Sequence, residues 1–282
     1  MDDTQPKPFM IRGNLDSRGV TATVRKVCVI GIGAGNPGHL TLQAVEAIGA
    51  TDVFFLLDKG EEKGSLIALR QHILDRHARP GHRVAWGRDP DRDRAPADYP
   101  GAVGDWRRRR AEVTAALIRD HLGEGECGAF LAWGDPSLYD STIAILDDVL
   151  ASGEVAFEYT VIPGISSVSA LAARHRVGLN RVGGAVQVTT GRRVAGGLPE
   201  GVDDVVVMLD SGAAFTQLSD DDVDIYWGAY LGTPDELLAA GPLSEVAGEI
   251  AAARAAARAR HGWIMDTYLL RRRGRTATPP PS

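Results

Sequence analysis

The chain has 282 residues, 44% of them hydrophobic and 24% charged, with a formal net charge of -6. That is enough chain for one large or two modest domains around a buried core. The acidic balance argues against a nucleic-acid binder, in spite of the local basic runs Arg107 to Arg110 and Arg271 to Arg273.

In chain order, residues 1–23 lack the apolar core of a signal peptide and read as a disordered extension. Val27 to Ile30 is a short apolar run ending in glycines, hence a strand. Thr41 to Ile48 carries Leu42, Val45 and Ile48 on helical spacing. Val53 to Leu57 is a second strand, and Leu66, Leu69 and Ile73 mark another helix. Arg88 to Gly104, dense in Asp, Arg and Pro, reads as a surface loop, with Asp105 as N-cap of the following helix. Ala129 to Trp133 is a strand, and Ile143, Leu146 and Leu150 lie on the next helix. Tyr159 to Ile162 is extended, and a short helix surrounds Val168 and Leu171. Strands are expected near Ala185 to Val188, Val205 to Leu209, Ile225 to Leu231 and Trp263 to Leu270, with a helix from Ser244 to Arg258. The βαβα order of the first half implies an α/β fold with a largely parallel sheet; the second half reads as α/β with antiparallel elements. The boundary is expected near Ser152 to Phe157, giving domains 24–155 and 156–272, and the proline-rich end, 273–282, reads as a disordered tail.

The two cysteines, Cys28 and Cys127, read as buried strand residues. Their sequence separation gives neither a metal motif nor a disulfide framework, and suits a reducing cytoplasm. The seven histidines are scattered, with none paired at metal-ligand spacing, so no metal site is expected. No apolar run approaches the ~20 residues that span a membrane.

Three strand-to-helix turns carry the functional signal. The first is Gly31-Ile32-Gly33-Ala34-Gly35-Asn36-Pro37-Gly38. It is read as a plain β–α turn or as a loop that lets a ligand approach the backbone. As a dinucleotide fingerprint it fails at Asn36, where a glycine is required, although Asp58 at the end of the second strand imitates a ribose-binding acid. The second is Ala132-Trp133-Gly134-Asp135-Pro136-Ser137-Leu138-Tyr139. Gly134 permits close approach, and Asp135 either accepts hydrogen bonds from a ligand or caps a helix with Pro136 behind it. The third is Pro163-Gly164-Ile165-Ser166-Ser167, whose serines cap a helix or bond a ligand.

Taken together, this order of motifs resembles the tetrapyrrole methylase family, over roughly Val24 to Leu270. The resemblance implies two α/β domains with S-adenosyl-L-methionine in the cleft between them and S-adenosyl-L-homocysteine as product. It places Gly31, Gly33, Ala34, Pro37, Trp133, Gly134, Asp135, Leu138, Ser166, Ser167, Met208 and Gly232 at cofactor-contacting positions. Many relatives have Gly-x-Gly-Pro-Gly in the first loop; here Ala34 takes the proline position. The segments Phe54 to Lys63, Gly104-Asp105-Trp106 with Arg109, Asn180-Arg181 and Thr189 to Arg193 look like the branch that methylates C1 of precorrin-5 and releases acetate, giving precorrin-6A in cobalamin biosynthesis. The family also implies a homodimer. The alternatives are methylation of another ring carbon, a nucleotide-dependent oxidoreductase, or a tetrapyrrole carrier without turnover.

The chemistry selects further residues. An electron-rich carbon can attack a sulfonium methyl without a protein nucleophile, which fits the lack of a Ser/His/Asp constellation. A substrate rich in carboxylates calls for Arg and Lys, and Lys59, Lys63, Arg109, Arg192 and Arg193 are the candidates. Loss of acetate needs water and a general base, for which Asp105, Asp58 and Tyr139 are considered.

Overall fold

The structure, a computed structural model, describes residues 24–58, 64–91, 99–218 and 222–274. The expected extension 1–23 therefore falls outside the described residues, as does the expected tail apart from 273–274.

The first sheet is built from β1 (Lys26–Gly31), β2 (Val53–Asp58), β3 (Arg83–Arg88), β4 (Cys127–Ala132) and β5 (Glu158–Ile162). They lie in the order β3-β2-β4-β1-β5, with every pair parallel. Helices α1 (Leu42–Ala50), α2 (Gly64–His77), α3 (Tyr99–His121) and α4 (Thr142–Ser152) join them. Successive strand residues face opposite ways, so β2 sends Val53 and Phe55 into one core and Phe54 into the other. On one face Phe55 and Phe130 pack with Ile118, Leu122, Leu146 and Val149 of α3 and α4 and their flanks. On the other Ile30, Phe54 and Leu131 pack with Ala44, Ile48, Ile73 and Leu74 of α1 and α2. Each fully buried side chain of this size contributes roughly 1.5–3 kcal/mol, which is why a parallel sheet covered on both faces reads as unbroken apolar runs.

The second sheet contains β6 (Val186–Thr190), β7 (Asp204–Met208), β8 (Val223–Ala229), β9 (Leu237–Pro242) and β10 (Asp266–Arg272), in the order β6-β7-β10-β8-β9. Only β6 and β7 run parallel; the other pairs are antiparallel. Helix α7 (Leu243–His261) covers one face through Leu243, Ile250 and Ala257. Helix α5 (Ser167–His175) covers the other, and a short α6 (Gly191–Val194) follows β6. β5 pairs with β1, so the strand that follows the expected 152–157 boundary still belongs to the first sheet.

The sheets share a core. Val168, Ala170 and Leu171 of α5 pack with Val206 and Leu269 of the second sheet, and Ala34, from the loop after β1, is buried in the same cluster. Three other expectations change. α3 starts at Tyr99, so Asp105 is inside the helix, not its cap. Pro100 explains the early start, because a proline in the first turn of a helix loses no hydrogen bond. Cys28 and Cys127 are half-buried and adjacent, with Sγ atoms 3.8 Å apart. Asp135 does not cap α4, whose N-cap is Ser141. Among the described residues no helix is long and apolar enough to cross a membrane.

Candidate active site

The connections after β1 and β4 leave these neighbouring strands in opposite directions. α1 packs on one face of the sheet and α4 on the other. Their first loops therefore emerge side by side at the carboxyl edge, where open α/β sheets bind ligands. The loops are tied together. Ile32 N–H donates to Ala132 O at 2.9 Å, Gly134 N–H to Gly33 O at 2.8 Å, and Gly33 N–H to Gly134 O at 3.2 Å.

The loop after β5 is pressed against both. A Cβ on Gly164 would stand 2.1 Å from Gly134 O, and one on Gly31 would stand 2.5 Å from Gly164 N. Only glycines allow that approach of backbone to backbone. Asp135 completes the knot. Its Oδ2 accepts from Gly164 N–H at 2.9 Å and its Oδ1 from Ser137 N–H at 2.8 Å, and the Ser137 hydroxyl also donates to it.

Partial burial pushes the Asp135 carboxyl up, but the Ser137 hydroxyl, Gly164 N–H and Ser137 N–H together outweigh it and hold the group below the ordinary carboxylate range. A depressed folded value means the unfolded chain takes up protons first. The contribution of Asp135 is then complete above about pH 4 and is lost as pH falls through the lowered folded value. Asp135→Asn is expected to remove that part of the acid dependence and to weaken the knot at neutral pH. Acid titrations of both proteins by circular dichroism check this, and superimposable profiles would show that the carboxylate does not bind the loops together.

From the second sheet, the turn after β8 meets the loop after β1. Gly35 lies against Leu231 O and Thr233, and Gly232, with φ of +77°, lies against Asn36. Tyr139, after β4, holds φ of 55° and its hydroxyl donates to Val188 O of β6 at 3.4 Å. Leu209, after β7, and Tyr230, after β8, also have positive φ. Such backbone strain in non-glycine residues gathers at ligand sites. Tyr139, Ile165, Val188 and Leu209 are exposed here, an apolar rim on loops and strands of both sheets.

The structure thus brings Gly31, Gly33, Ala34, Pro37, Trp133, Gly134, Asp135, Leu138, Ser166, Ser167, Met208 and Gly232 onto these loops and strand ends. Several have internal partners. Ala34 is buried in the shared core, with Leu138 and Met208 packed partly buried against it. Ser166 caps α5, accepting from Ser169 N–H at 3.2 Å, and Ser167 Oγ lies 3.2 Å from Thr267 Oγ1. The basic candidates are scattered. Arg109 is exposed on α3, donating to Asp91 O at 3.1 Å, and Arg192 and Arg193 are exposed on α6. Lys59 and Lys63 lie outside the described residues. Asp105 is exposed and paired with Arg108 at 3.4 Å, and Asp58 is exposed at the end of β2.

Two features were missed in the sequence. His39 follows the first glycine loop and packs on Gly33. Burial pushes its imidazole down, Glu236 opposing, so it is neutral at pH 7. Next to Trp133 lies a cavity of about 200 Å³ lined by Arg70, Arg110, Thr114, Asp140, Trp86 and Met265, among others. Its one sequence signal was a charge on an apolar stripe, because Arg70 is one turn from Leu66 and beside Ile73.

The model of the Tetrapyrrole (Corrin/Porphyrin) Methylases matches residues 26–247. The chain belongs to the tetrapyrrole methylase family. Precorrin-6A synthase [deacetylating] of Sinorhizobium sp is 49% identical over 252 residues, 89% of this chain and 97% of that one. The crystal structure of a cobalamin synthesis related protein from Corynebacterium diphtheriae superposes with a TM-score of 0.78 at 37% identity, covering 89% of this chain and all of that one. A uroporphyrin-III C-methyl transferase from Thermus thermophilus, complexed with S-adenosyl homocysteine, shares the fold at a TM-score of 0.52 and 19% identity, over 87% of this chain and 91% of that one. The two α/β sheets are thus those of a tetrapyrrole methylase, and the expected fold class holds.

Proposed function

We propose that this tetrapyrrole methylase transfers a methyl group from S-adenosyl-L-methionine to C1 of precorrin-5, with hydrolytic loss of acetate, giving precorrin-6A. The observation that carries the reading is the 49% identity to a precorrin-6A synthase [deacetylating] along nearly the full length of both chains. A distant relative that merely shared the fold would not keep this identity over 252 residues.

The residues present fit the cofactor. The three glycine loops let a ligand lie on bare backbone, and the apolar rim of Tyr139, Ile165 and Leu209 offers surface to a nucleoside. Gly31, Gly33, Pro37, Gly134, Ser166, Ser167 and Gly232 would hold it from the loops, Met208 and Leu138 from the apolar side. Ala34, Asp135 and Trp133 support those loops from beneath. Bound there, the cofactor supplies an electrophilic methyl group. The protein's contribution is alignment and exclusion of water, and alignment of this kind can supply roughly 7–11 kcal/mol. Arg109, Arg192 and Arg193 would meet peripheral carboxylates of the macrocycle, together with Lys59 and Lys63.

We divide the chain into two domains after β5, with α5 packed on the second sheet, and we propose a homodimer working in the cytoplasm, where the free thiols of Cys28 and Cys127 stay reduced. The test of the reaction is mass spectrometry of purified protein with precorrin-5 and methyl-labelled S-adenosylmethionine, alongside an acetate assay. One labelled methyl per macrocycle with one acetate released is expected. A labelled product without acetate would move the enzyme to another ring carbon.

A further inference from the structure

Beneath Trp133 the cavity presents more polar chemistry than a packing defect would. Thr114 is 2% exposed, and among the described residues neither its hydroxyl nor the buried indole N–H of Trp133 has a hydrogen-bond partner. Buried donors left unpaired cost about 1–3 kcal/mol each, so two bordering one cavity point to a guest that satisfies them. At about 200 Å³ the cavity is smaller than the ~300–1,000 Å³ of sites that enclose whole ligands, so it suits one arm of a large substrate.

Its charges identify the arm. Arg110 lies 3.1 Å from Asp89, both nearly buried, and its Nη1 donates to Ser141 Oγ at 2.9 Å. Arg70 donates to Leu131 O at 3.3 Å; burial pushes its guanidinium down, and Asp140 acts against that shift. Among the described residues the two arginines are met by Asp89 and Asp140, a balance that suits a neutral guest better than a permanent carboxylate. The Thr114 hydroxyl and the Trp133 indole N–H are donors suited to a neutral carbonyl that becomes negative only during reaction. Asp140, at the start of the segment that enters α4, lines the same cavity and accepts from Thr142 N–H at 2.7 Å through Oδ1.

We infer that this cavity receives the acetyl arm of the substrate, with Thr114 and Trp133 donating to its carbonyl oxygen and Asp140 taking the proton of the attacking water. The inference rests on the deacetylating reaction proposed above. Water's oxygen bonds to the acyl carbon and its proton passes to Asp140. The bond from acyl carbon to macrocycle breaks, and its electron pair moves into the macrocycle, where it makes the new bond to the donor methyl. Sulfur keeps the old carbon–sulfur pair, and acetic acid leaves through the cavity.

The experiment compares wild type, Asp140→Asn, Thr114→Val and Thr114→Ser, with precorrin-5 and labelled S-adenosylmethionine. Acetate is measured by enzymatic assay, and S-adenosylhomocysteine binding by calorimetry. The expected result is acetate formation down by about 100- to 10,000-fold for Asp140→Asn and about 100- to 1,000-fold for Thr114→Val. Thr114→Ser, which restores a hydroxyl, should recover most of that loss, and S-adenosylhomocysteine affinity should stay within twofold throughout. Wild-type acetate rates in Asp140→Asn and Thr114→Val would overturn the cavity assignment while leaving the reaction standing. A wild-type protein that makes no acetate would overturn the reaction, and the assignment with it. Should Thr114→Val not fold, Asp140→Asn against Asp140→Glu decides, with partial recovery expected in Glu.

Discussion

Asp266→Ala is expected to lower folding stability by about 3–5 kcal/mol, the cost of stranding a buried charge by removing its partner. Arg254 Nε donates to Asp266 Oδ2 at 2.8 Å, with side-chain exposures of 8% and 2%. Trp227 Nε1 donates to the same oxygen at 2.9 Å, and Arg254 also donates to Asp210 O. The Asp210 carboxylate accepts from the Tyr268 hydroxyl at 2.7 Å, so α7, β8, β10 and the end of β7 share one polar network. The alanine leaves a guanidinium and an indole N–H in a hydrocarbon setting.

The reverse change behaves differently. Burial pushes the Asp266 carboxyl up, and Arg254 is the main influence pulling it back down. In Arg254→Met the carboxyl rises further and can take up a proton. A raised folded value means the folded state holds the extra proton. Stability is then greatest at acid pH and falls as pH rises from about 4 through the folded value. Arg254→Met should therefore lose stability with rising pH, whereas Asp266→Ala lacks this titration. Urea unfolding at several pH values, followed by tryptophan fluorescence, separates the two. A loss below 1 kcal/mol for Asp266→Ala would mean that water reaches the pair.

Gly164→Ala is expected to weaken S-adenosylhomocysteine binding at least tenfold and to cost about 1–3 kcal/mol of stability, as overpacking does. The new methyl would sit 2.1 Å from Gly134 O and 2.8 Å from Gly31 C, both backbone atoms that cannot rotate away. The loops must part, and the Asp135 bond to Gly164 N–H lengthens with them. Gly248→Ala is the control, since it is exposed on α7 with open space around its Cα and gains helix propensity. Calorimetry with S-adenosylhomocysteine reads both variants. Unchanged affinity in Gly164→Ala would show that the three-loop contact does not shape the cofactor site.

Legibility in the sequence followed burial. β1 and β2 were readable because both faces are covered and their residues form apolar runs. β3, with Arg83, Gly87 and Arg88, and β9, with Gly241 and Pro242, were not readable. Charged residues and glycine interrupt the one, glycine and proline the other, whereas the edge strands β5 and β6 keep short apolar or β-branched runs. The glycine loops were legible one at a time, since tight turns advertise themselves locally. That Gly31, Gly134 and Gly164 touch was not legible, because strand order, not spacing, makes β1, β4 and β5 neighbours. The same holds for the cavity. Arg110 was hidden in a run of four arginines, of which Arg108 and Arg109 face solvent, while Arg107 pairs with Asp148.

Ala34 sits in the same buried cluster as Val206 and Leu269, so the loop that opens the first half is also part of what fastens the second. The two halves are consequently not interchangeable parts. A chimera joining residues up to β5 of this chain to the remainder of a relative would carry a loop shaped for a surface it no longer meets. Altered specificity is better sought by transplanting the loop after β1 together with the turn around Gly232, as one inherited unit, than by exchanging whole domains.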